Sequence, residues 1–524
     1  MPNYLSPGVY VEEVDRGSKP IEGVGTAVAA FVGFTERAPS DHSSDPDGRK
    51  PRLVTNWSEF QRLFGGFVEG ALLPHAVYGY FNNGGGTCYI CRIPQSAGAA
   101  KATRALPSAT KAELEVLQVE ALEPGANIQI GIEPGPVPEG DQVPTFTMKV
   151  LVGSKEVESF AELTLGKGKR AADTVVNAES KYVRIKITAA ASTAAADKFP
   201  PAGTYSLEKT PAAAIAVSSS DFEGDEAKRT GISGLMIAEE VTMVVCPDLV
   251  TAATKNGTFD LDLFKAVQTA MITHCELAGN RMAILDPPPN MNAQEVKEWR
   301  TDKAMYDSKY AALYYPWVKV PNPLAGASSN GDKIITVPAS GHLAGIWARN
   351  DNARGVWKAP ANEVIRGVVD VANKVTTGEQ DLLNPIGVNC IRPFGVRGIR
   401  VWGARTLSSD PAWRYINVRR LFNFVEDSVL LGTQWVVFEP NDLDLWERVK
   451  RTINAFLLGL WRQGALFGAT PDEAFYVKCD AETNPPESVD EGKLVVEIGI
   501  APVKPAEFVI FRISQWQGGA GAAE

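Results

Sequence analysis

Histidine and cysteine, the side chains on which metal and nucleophilic sites most often depend, are scarce in this sequence. The 524 residues include 4 His and 6 Cys, which leaves little material for such chemistry. Acidic residues outnumber basic ones, 62 to 52, for a net charge of -10, whereas a chain that mainly coats nucleic acid needs a basic face. No stretch approaches the ~18 consecutive apolar residues of a membrane span. The sequence therefore predicts no metal, no cofactor, no direct nucleic-acid partner and no membrane insertion.

The N-terminus also lacks the features of a secretory signal. Residues 1–8, MPNYLSPG, contain neither a basic region nor an apolar core, so we expect no signal peptide. Four of the six cysteines stand singly, some among apolar neighbours as in Val244-Val245-Cys246, which is typical of reduced cysteines in a core. We therefore expect assembly in the cytoplasm.

What the chain does have is the composition of a folded protein, 44% hydrophobic and 22% charged. Residues 1–23 contain Pro and Gly at positions that break any helix, yet residues 9–14 have a strand pattern with no partner nearby. Because a lone strand must pair with an edge elsewhere, we predict a linking arm at 1–23. Residues 24–93 then alternate strands and helices, and Asn56 is placed to cap a helix at 56–64.

Residues 94–230 differ from the rest because they contain no Trp, Cys or His. Short alternating runs separated by Gly and Pro turns predict strands at 114–119, 128–132, 146–152 and 182–187. This pattern predicts a β-sandwich or barrel inserted into an α/β core. With few aromatic residues its core is modest, so we expect it on the outside.

The remainder returns to an α/β pattern. Further elements are predicted as strands at 241–246, 281–285, 399–402, 435–438, 494–500 and 508–513, and as helices at 261–278 and 441–463. The fold class is therefore a multi-domain α/β (α+β) chain with an inserted β domain and extended strand arms at both ends. The predicted divisions are 1–23, 24–93 with 231–384, 94–230, 385–505, and 506–524.

One motif could carry chemistry: Cys88 and Cys91 form a C-x-x-C. A structural zinc site needs a second pair, and a thioredoxin-like site needs a helix after the first Cys. Here the motif lies in a strand pattern, which directs the two sulfurs to opposite faces. A core role is favoured, and a thiol- or metal-dependent enzyme stays as the alternative.

Charge is unevenly distributed in the C-terminal part. Residues 391–420 contain seven Arg against Asp410 alone, and residues 471–491 contain seven acids against Lys478 alone. Two solvated faces, or pairing within one domain, would explain this, but the patches could also pair between copies of the chain. A nucleic-acid-binding role for the arginines is a weaker alternative, because the acidic stretch lies in the same domain. The candidate inter-subunit residues are Arg414, Arg419, Arg420, Asp480 and Glu482.

Several ordered motifs resemble the sheath proteins of contractile phage tails and phage-tail-like injection systems. They lie at both ends and in the middle of the chain and leave out residues 94–230. The motifs are YLSPGVYVEE at 4–13, GVWKAPAN at 355–362, GVNCIR at 387–392, VWGARTL at 401–407, WRYINVRR at 413–420, VFEPN at 437–441, LW at 445–446, GALFG at 464–468, AFYVKCD at 474–480 and APVKPAEF at 501–508.

The resemblance implies a structural protein without enzymatic activity, assembled as a helical polymer of stacked six-membered rings around an inner tube. Contraction of such a sheath drives the tube through a target envelope. The implied partners are further copies of the chain, the inner tube protein, and baseplate and cap proteins. The implied location is a phage-tail-like particle or virion.

The resemblance also implies that terminal strands are donated to neighbouring subunits and that the C-terminal domain faces the tube. The expected arm-strand residues are Val9, Tyr10, Val11, Glu12, Val14, Phe508, Val509, Ile510, Phe511 and Ile513. The expected tube-facing residues, on the helix at 441–463, are Asp442, Asp444, Glu447, Arg448, Lys450 and Arg451.

Overall fold

The computed structural model describes most of the chain between residues 20 and 513. The described ranges are 20–39, 45, 48–94, 102–111, 113–122, 128–135, 145–152, 155–166, 168–188, 200–207, 217–255, 257–325 and 333–513. The predicted arm strand with Val9, Tyr10, Val11, Glu12 and Val14 lies outside the described residues, as does the tail after residue 513.

Contacts divide the chain into two compact units. The main unit takes the described residues within 20–36, 45–93 and 218–513, and the insert unit takes those within 37–39 and 94–217. The predicted insert also starts at residue 94, but its predicted end at 230 was wrong. Residues 218–230 belong to the main unit, where Phe222 is buried against Phe34.

The N-terminal part of the main unit alternates strands and helices. Its elements are β1 (Val28–Gly33), β2 (Arg52–Val54), α1 (Trp57–Phe64), α2 (Leu73–Asn82) and β3 (Thr87–Arg92). The predicted start of α1 is confirmed, since the Asn56 side chain accepts a hydrogen bond from the Glu59 N–H. Gly65 ends the helix at a φ of 89°, a region that glycine adopts without strain.

The insert unit contains two antiparallel sheets and one helix. Its elements are β4 (Thr103–Pro107), β5 (Glu115–Ala121), β6 (Ile128–Pro134), β7 (Phe146–Val152), β8 (Lys155–Leu163), α3 (Ala172–Glu179), β9 (Val183–Ile187) and β10 (Gly203–Ser206). The sheets run β10-β6-β7-β8 and β4-β5-β9. Both sheets contribute to one apolar cluster, for example through Met148 and Val119, so the insert has its own core. Its assignment as a sandwich or barrel stays a prediction.

The main unit resumes with a long alternating stretch. Its elements are α4 (Ser219–Glu223), β11 (Met243–Val245), α5 (Leu249–Ala253), β12 (Thr254–Lys255), β13 (Thr258–Phe259), α6 (Leu261–Ala278), β14 (Met282–Leu285), α7 (Ala293–Glu298), β15 (Ala311–Tyr315), β16 (Val318–Pro321), β17 (Ile334–Val337), α8 (Ser340–Arg354), β18 (Asp370–Val371), α9 (Thr377–Leu383), β19 (Val388–Pro393) and β20 (Ile399–Trp402). The prediction of α6 is confirmed at both ends, with Asp260 as its cap.

The C-terminal part is mostly helical. Its elements are α10 (Ile416–Gly432), α11 (Leu443–Arg462), α12 (Pro471–Ala474), β21 (Phe475–Lys478), α13 (Pro486–Asp490) and β22 (Glu497–Ile500). Helical turns of other types lie at Ser233–Ile237, Trp299–Ala304, Asn384–Ile386, Gly395–Arg397, Pro411–Trp413 and Gln434–Val436.

An eight-stranded sheet forms the centre of the main unit, in the order β2-β3-β1-β11-β14-β15-β19-β20. Neighbouring strands from β3 to β19 are parallel, and the two edge strands β2 and β20 are antiparallel. Parallel strands buried on both faces are uniformly apolar, as in β15, where all five residues are buried. Helices α2 and α8 belong to the core that covers this sheet.

A second apolar cluster belongs to the C-terminal part. Helices α10 and α11 contribute Leu421 and Ile453 to it, and the β21 strand contributes Val477. Ile21 is also in this cluster and only 8% exposed. The predicted extent of the N-terminal arm to residue 23 was therefore wrong, because residue 21 is part of this core.

Three predicted C-terminal strands differ from the structure. The strand at 435–438 was wrong: a 3-10 turn occupies Gln434–Val436, and Phe438 is fully exposed between α10 and α11. The strand at 494–500 is shorter and begins at Glu497. Residues 508–513 form no strand in the described chain, since they have no partner in it.

Candidate assembly surfaces

Neither thiol of the C-x-x-C motif is available for chemistry. Cys88 and Cys91 lie on β3 and are both fully buried, and Cys88 belongs to the core cluster of the central sheet. The Cys91 thiol donates to the carbonyl oxygens of Arg49 and Gly231, at 3.1 and 3.3 Å. Burial raises the pKa of the Cys91 thiol to about 12 and raises that of Cys88 further. These are properties of core cysteines.

Metal-binding clusters are likewise absent from the described part of the chain. Among those residues, no group of three or more His, Cys, Asp or Glu side chains is arranged to hold a metal ion. Within the same residues, no helix combines the length and hydropathy that a membrane crossing requires.

Two buried acids at the carboxyl end of the central sheet have structural partners. Asp248 follows β11 and accepts hydrogen bonds from the backbone N–H groups of Phe34 and Leu73, at 2.6 and 3.1 Å. Asp286 follows β14 and accepts from the N–H groups of Ala339 and Ser340, at 2.8 and 3.0 Å. Burial raises the pKa of Asp248 to about 7 and that of Asp286 to about 6. Both side chains bind N–H groups at helix starts, so they are internal helix caps.

Two of the predicted inter-subunit arginines are internal. Arg419 is 2% exposed, and its guanidinium stacks over Trp413 at 4.5 Å and pairs with Glu426 at 3.0 Å. Arg420 is 4% exposed and donates to Asp351 with a 2.8 Å Nη1–Oδ1 distance. The prediction that Arg419 and Arg420 form a surface patch was wrong, because each neutralises an acid of its own chain.

The other members of the predicted charge patches are on the surface. Arg414 is exposed, as is Glu482, which pairs with Lys478 four residues earlier in the chain. Asp480 is half-buried and accepts from the Glu482 N–H at 2.9 Å. Pairing of Arg414 with Asp480 or Glu482 between copies stays a prediction.

Helix α11 presents one apolar face and one charged face. Asp442 caps it by accepting from the Leu445 N–H at 2.9 Å, so the helix starts two residues later than predicted. Leu445, Val449 and Ile453 are buried on one side. The predicted tube-facing residues lie on the other side: Asp442, Asp444, Glu447, Arg448 and Arg451 are exposed, and Lys450 is half-buried.

The small sheet beside α11 has two strands. β21 and β22 pair antiparallel from Phe475–Ile500 to Lys478–Glu497. In the part of the chain that the structure describes, no third strand joins them. A two-stranded sheet of this size has open edges on which a further strand can add backbone hydrogen bonds.

After β22 the chain follows the body for seven residues. The Ala501 N–H donates to the Ala474 carbonyl oxygen at 2.8 Å, and its own carbonyl accepts from the Phe467 N–H at 2.8 Å. The Asn417 amide donates to the Val503 carbonyl oxygen at 3.1 Å.

The last contact in this run is the Glu507 carboxylate. It accepts from Nε and Nη2 of Arg405 at 2.9 and 2.7 Å, from Nδ2 of Asn384 at 2.8 Å, and from the Tyr415 hydroxyl at 3.0 Å. Burial raises the pKa of Glu507, but the hydrogen bonds from Arg405 and Asn384 outweigh it and the net pKa is lowered. The carboxylate is therefore charged at neutral pH. We call Glu507, Arg405, Asn384 and Tyr415 the Glu507 clamp.

Beyond the clamp, the chain is apolar and exposed. The exposed fractions are 71% for Phe508, 68% for Val509, 78% for Ile510, 83% for Phe511 and 96% for Ile513. Among the described residues, no hydrogen bond connects this segment to the rest of the chain. A large apolar segment left in water indicates a surface that another protein covers.

A groove of about 970 Å³ lies beside the start of this segment. Its walls include Trp357, Trp402 and Arg405 of the body and Phe508 and Val509 of the segment. The groove is part of the same surface.

Sequence reasoning found this segment as an apolar strand but missed its anchor. Arg405 was counted in the arginine cluster, whereas Glu507 stood only within the motif APVKPAEF at 501–508 and was given no role of its own. The available signal was that Glu507 is the one acid in the run KPAEFVIFRI at 504–513.

Comparison with known families gives two adjoining matches. Residues 238–407 match the model described as the phage tail sheath protein central domain, and residues 408–515 match that of the phage tail sheath C-terminal domain. Together the two models cover more than half of the chain.

Curated relatives carry the same description. A prophage major tail sheath protein of Pseudomonas aeruginosa (strain UCBPP-PA14) is 30% identical over 261 residues, which are 48% of this chain and 63% of that protein. The tail sheath protein of Enterobacteria phage T4 is 26% identical over 234 residues, 44% of this chain and 35% of that protein. The chain thus spans less than two thirds of either relative.

Solved structures share the fold over nearly the whole chain. The helical sheath of the anti-feeding prophage in its contracted state has a TM-score of 0.59 at 24% identity and covers 97% of this chain and 99% of its own. The contracted sheath complex of the extracellular contractile injection system PVC has a TM-score of 0.56 at 23% identity and covers 99% of both chains.

Proposed function

The chain belongs to the phage tail sheath family, and we propose that it polymerises as stacked six-membered rings around an inner tube and contracts to drive that tube through a target envelope. The family consists of structural sheath proteins and not of enzymes. A chain of this family is a component of a phage tail or tail-like particle.

The observation that carries the proposal is the abrupt change at residue 507. Up to the Glu507 clamp the chain is hydrogen-bonded to its own body, and after it come five exposed apolar side chains with no partner among the described residues. We propose that residues 508–513 add as a strand to the β21–β22 sheet of a neighbouring copy. Backbone pairing at a sheet edge is strong and tolerates changes in the angle between subunits, so such strands keep rings connected while the bodies move.

The remaining parts of the assembly follow from the resemblance and from the relatives. We propose that residues 1–19 form the second linking arm, that α11 faces the inner tube and that the insert unit lies at the outer surface of the sheath. Solved structures with this fold include the baseplate of the anti-feeding prophage, which supports baseplate association. A cap protein completes the proposed partners.

Contraction in this proposal needs no cofactor, because its free energy is stored when the extended form assembles. Each subunit need gain only a few kcal/mol on repacking. Many subunits coupled in one polymer then make the transition irreversible.

The test is a pair of truncations at the C-terminus. A chain that ends after Glu507 should remain a folded subunit, because residues 508–513 belong to none of the apolar clusters, but it should not form connected sheaths. The matched control ends after Ile513, retains the apolar segment, and should assemble as the full chain does. The readouts are circular dichroism for the fold and negative-stain electron microscopy for the sheath. Normal sheaths from the shorter chain would refute the role of residues 508–513.

The alternative functions have less support. The thiol enzyme requires an accessible Cys88 or Cys91, and both are buried. The nucleic-acid module requires a free arginine cluster, yet Arg405, Arg419 and Arg420 each pair with a carboxylate of the same chain. The described surface therefore favours assembly with protein partners.

A further inference from the structure

The Glu507 clamp is a mostly buried, charge-assisted contact directly before the exposed apolar segment. The Arg405 and Glu507 side chains are 11% and 18% exposed, and the pair is bidentate. Two neutral side chains, Asn384 and Tyr415, donate further hydrogen bonds to the Glu507 carboxylate. Charge-assisted bidentate pairs with additional hydrogen bonds are among the strongest polar contacts in proteins.

The partners of Glu507 come from two parts of the main unit, since Arg405 and Tyr415 form an antiparallel bridge within one connection. Asn384 lies in the 3-10 turn after α9, Arg405 lies between β20 and α10, and Tyr415 immediately precedes α10. A single side chain of the C-terminal segment is therefore held by two separate parts of the body: the turn that contains Asn384, and the connection that contains Arg405 and Tyr415.

Arg405 is itself fixed to the central sheet. The buried Asn389 side chain on β19 accepts from the Arg405 N–H at 2.7 Å and donates to the Arg405 carbonyl oxygen at 2.8 Å. The same amide donates to the Leu313 carbonyl oxygen of β15 at 3.1 Å. Contacts thus run without a break from Glu507 through Arg405 and Asn389 to two strands of the eight-stranded sheet.

We propose that Glu507 is the positioning residue of the C-terminal strand: its clamp sets where residues 508–513 leave the body and transmits force on them to the central sheet. This deepens the proposed function and rests on it, because a strand that links two bodies is useful only if each end is held. Without the clamp, the points that hold the segment lie farther back, at Ala501 and Val503. Tension on residues 508–513 would then separate residues 504–507 from the body instead of moving the neighbouring subunit.

The first measurement is made on the unassembled full chain and does not depend on sheath formation. A nitroxide label is placed at Ala506→Cys, next to the clamp. All six native cysteines are buried, so the label reacts selectively at position 506 in the folded protein. We expect a restricted spin-label spectrum for this chain and a mobile one when Glu507→Gln is added, because the neutral amide loses the charge-assisted bonds.

The controls separate the clamp from general loss of stability. Glu363→Gln removes another half-buried ion pair, that with Lys358 at 2.8 Å, and should leave the label restricted. The exchange Arg405→Glu with Glu507→Arg rebuilds the pair in reverse and should restore part of the restriction. If this exchange does not fold, Glu507→Gln, which keeps the size of the side chain, still decides the outcome.

The second measurement is sheath assembly by the same variants without the label. We expect Glu507→Gln to give short or disconnected sheaths, and the charge exchange to lengthen them again. A label that stays restricted in Glu507→Gln would overturn the clamp, and a mobile label with normal sheaths would overturn its positioning role. If the unaltered chain forms no sheath while the label result holds, the clamp stands and the proposed function fails.

Discussion

At the scale of single residues, part of the arginine-rich stretch at 391–420 forms ion pairs inside the protein. Arg420 is buried on the ring of Trp347, at 4.8 Å, and its partner Asp351 also accepts from the Thr26 hydroxyl at 2.7 Å. The ion pair therefore joins α10 to α8 and to the segment just before β1. Because Asp351 is 69 residues away in the sequence, no local pattern could reveal it.

Removing one partner of this buried pair should be strongly destabilising. For Arg420→Ala we expect a loss of about 3–5 kcal/mol in the free energy of unfolding, because the Asp351 carboxylate is left buried without its counter-charge. Denaturant unfolding of the unassembled chain measures this.

The matched control is an exposed ion pair. Lys493 pairs with Glu491, and both side chains are more than 60% exposed. Lys493→Ala should cost less than about 1 kcal/mol. Equal losses for the two variants would contradict the interior role of Arg420.

Buried histidines make a prediction about acid stability. His75 is 4% exposed, and burial lowers its pKa to about 4. Between the ordinary pKa of about 6.5 and this value, the unfolded chain binds more protons at position 75 than the folded chain, so His75 lowers stability as the pH falls.

His75→Gln should therefore weaken the dependence of stability on pH. On going from pH 7 to pH 5, the variant should lose about 2 kcal/mol less unfolding free energy than the unaltered chain. Between pH 8 and pH 7, where His75 is largely neutral in both states, the two curves should be nearly parallel. Identical losses between pH 7 and pH 5 would show that His75 is protonated in the folded chain.

At the scale of elements, local signals were predictable and long-range pairing was not. Asn56 caps the start of α1 and Gly65 ends the helix, and both effects depend only on residues nearby in the sequence. Both ends of α6 were predictable for the same reason. Helix α8 was missed because eleven of its fifteen residues are buried, which removes the amphipathic period. Residues 435–438 have the composition of a strand, but only a pairing partner would make them one.

The candidate surfaces were predictable where they depend on local sequence pattern and not where they depend on contacts between distant residues. The apolar segment at 508–513 and the charged face of α11 follow from sequence pattern. The Glu507 clamp does not, because Asn384 and Arg405 reach Glu507 across more than 100 residues.

The charged face of α11 should affect binding and leave folding unchanged. Arg451 is exposed on this helix, away from the buried Ile453. Arg451→Glu should change the free energy of unfolding by no more than about 0.5 kcal/mol and weaken co-sedimentation with the inner tube protein.

A charge reversal elsewhere controls for net charge. Arg62→Glu, at an exposed position on α1, changes the charge equally and should leave tube binding intact. If the Arg451→Glu variant binds the tube protein as well as the unaltered chain does, the proposal that α11 faces the tube is wrong.

At the scale of the whole molecule, the chain combines two units that have apolar cores with segments that lack a partner among the described residues. The main unit has a central sheet and two apolar clusters, and the insert unit has a core of its own. The β21–β22 sheet and the segment at 508–513 lack partners among the described residues. In the proposed assembly, copies supply these partners to each other, and binding between copies then adds to the stability of each folded subunit.

The most direct test of this account is negative-stain electron microscopy of the purified full-length chain, alone and with its inner tube protein. We expect long hollow helical tubes built from six-membered rings. Dispersed monomers under several salt conditions, with the tube protein present, would contradict the claim that this chain is a self-assembling contractile sheath.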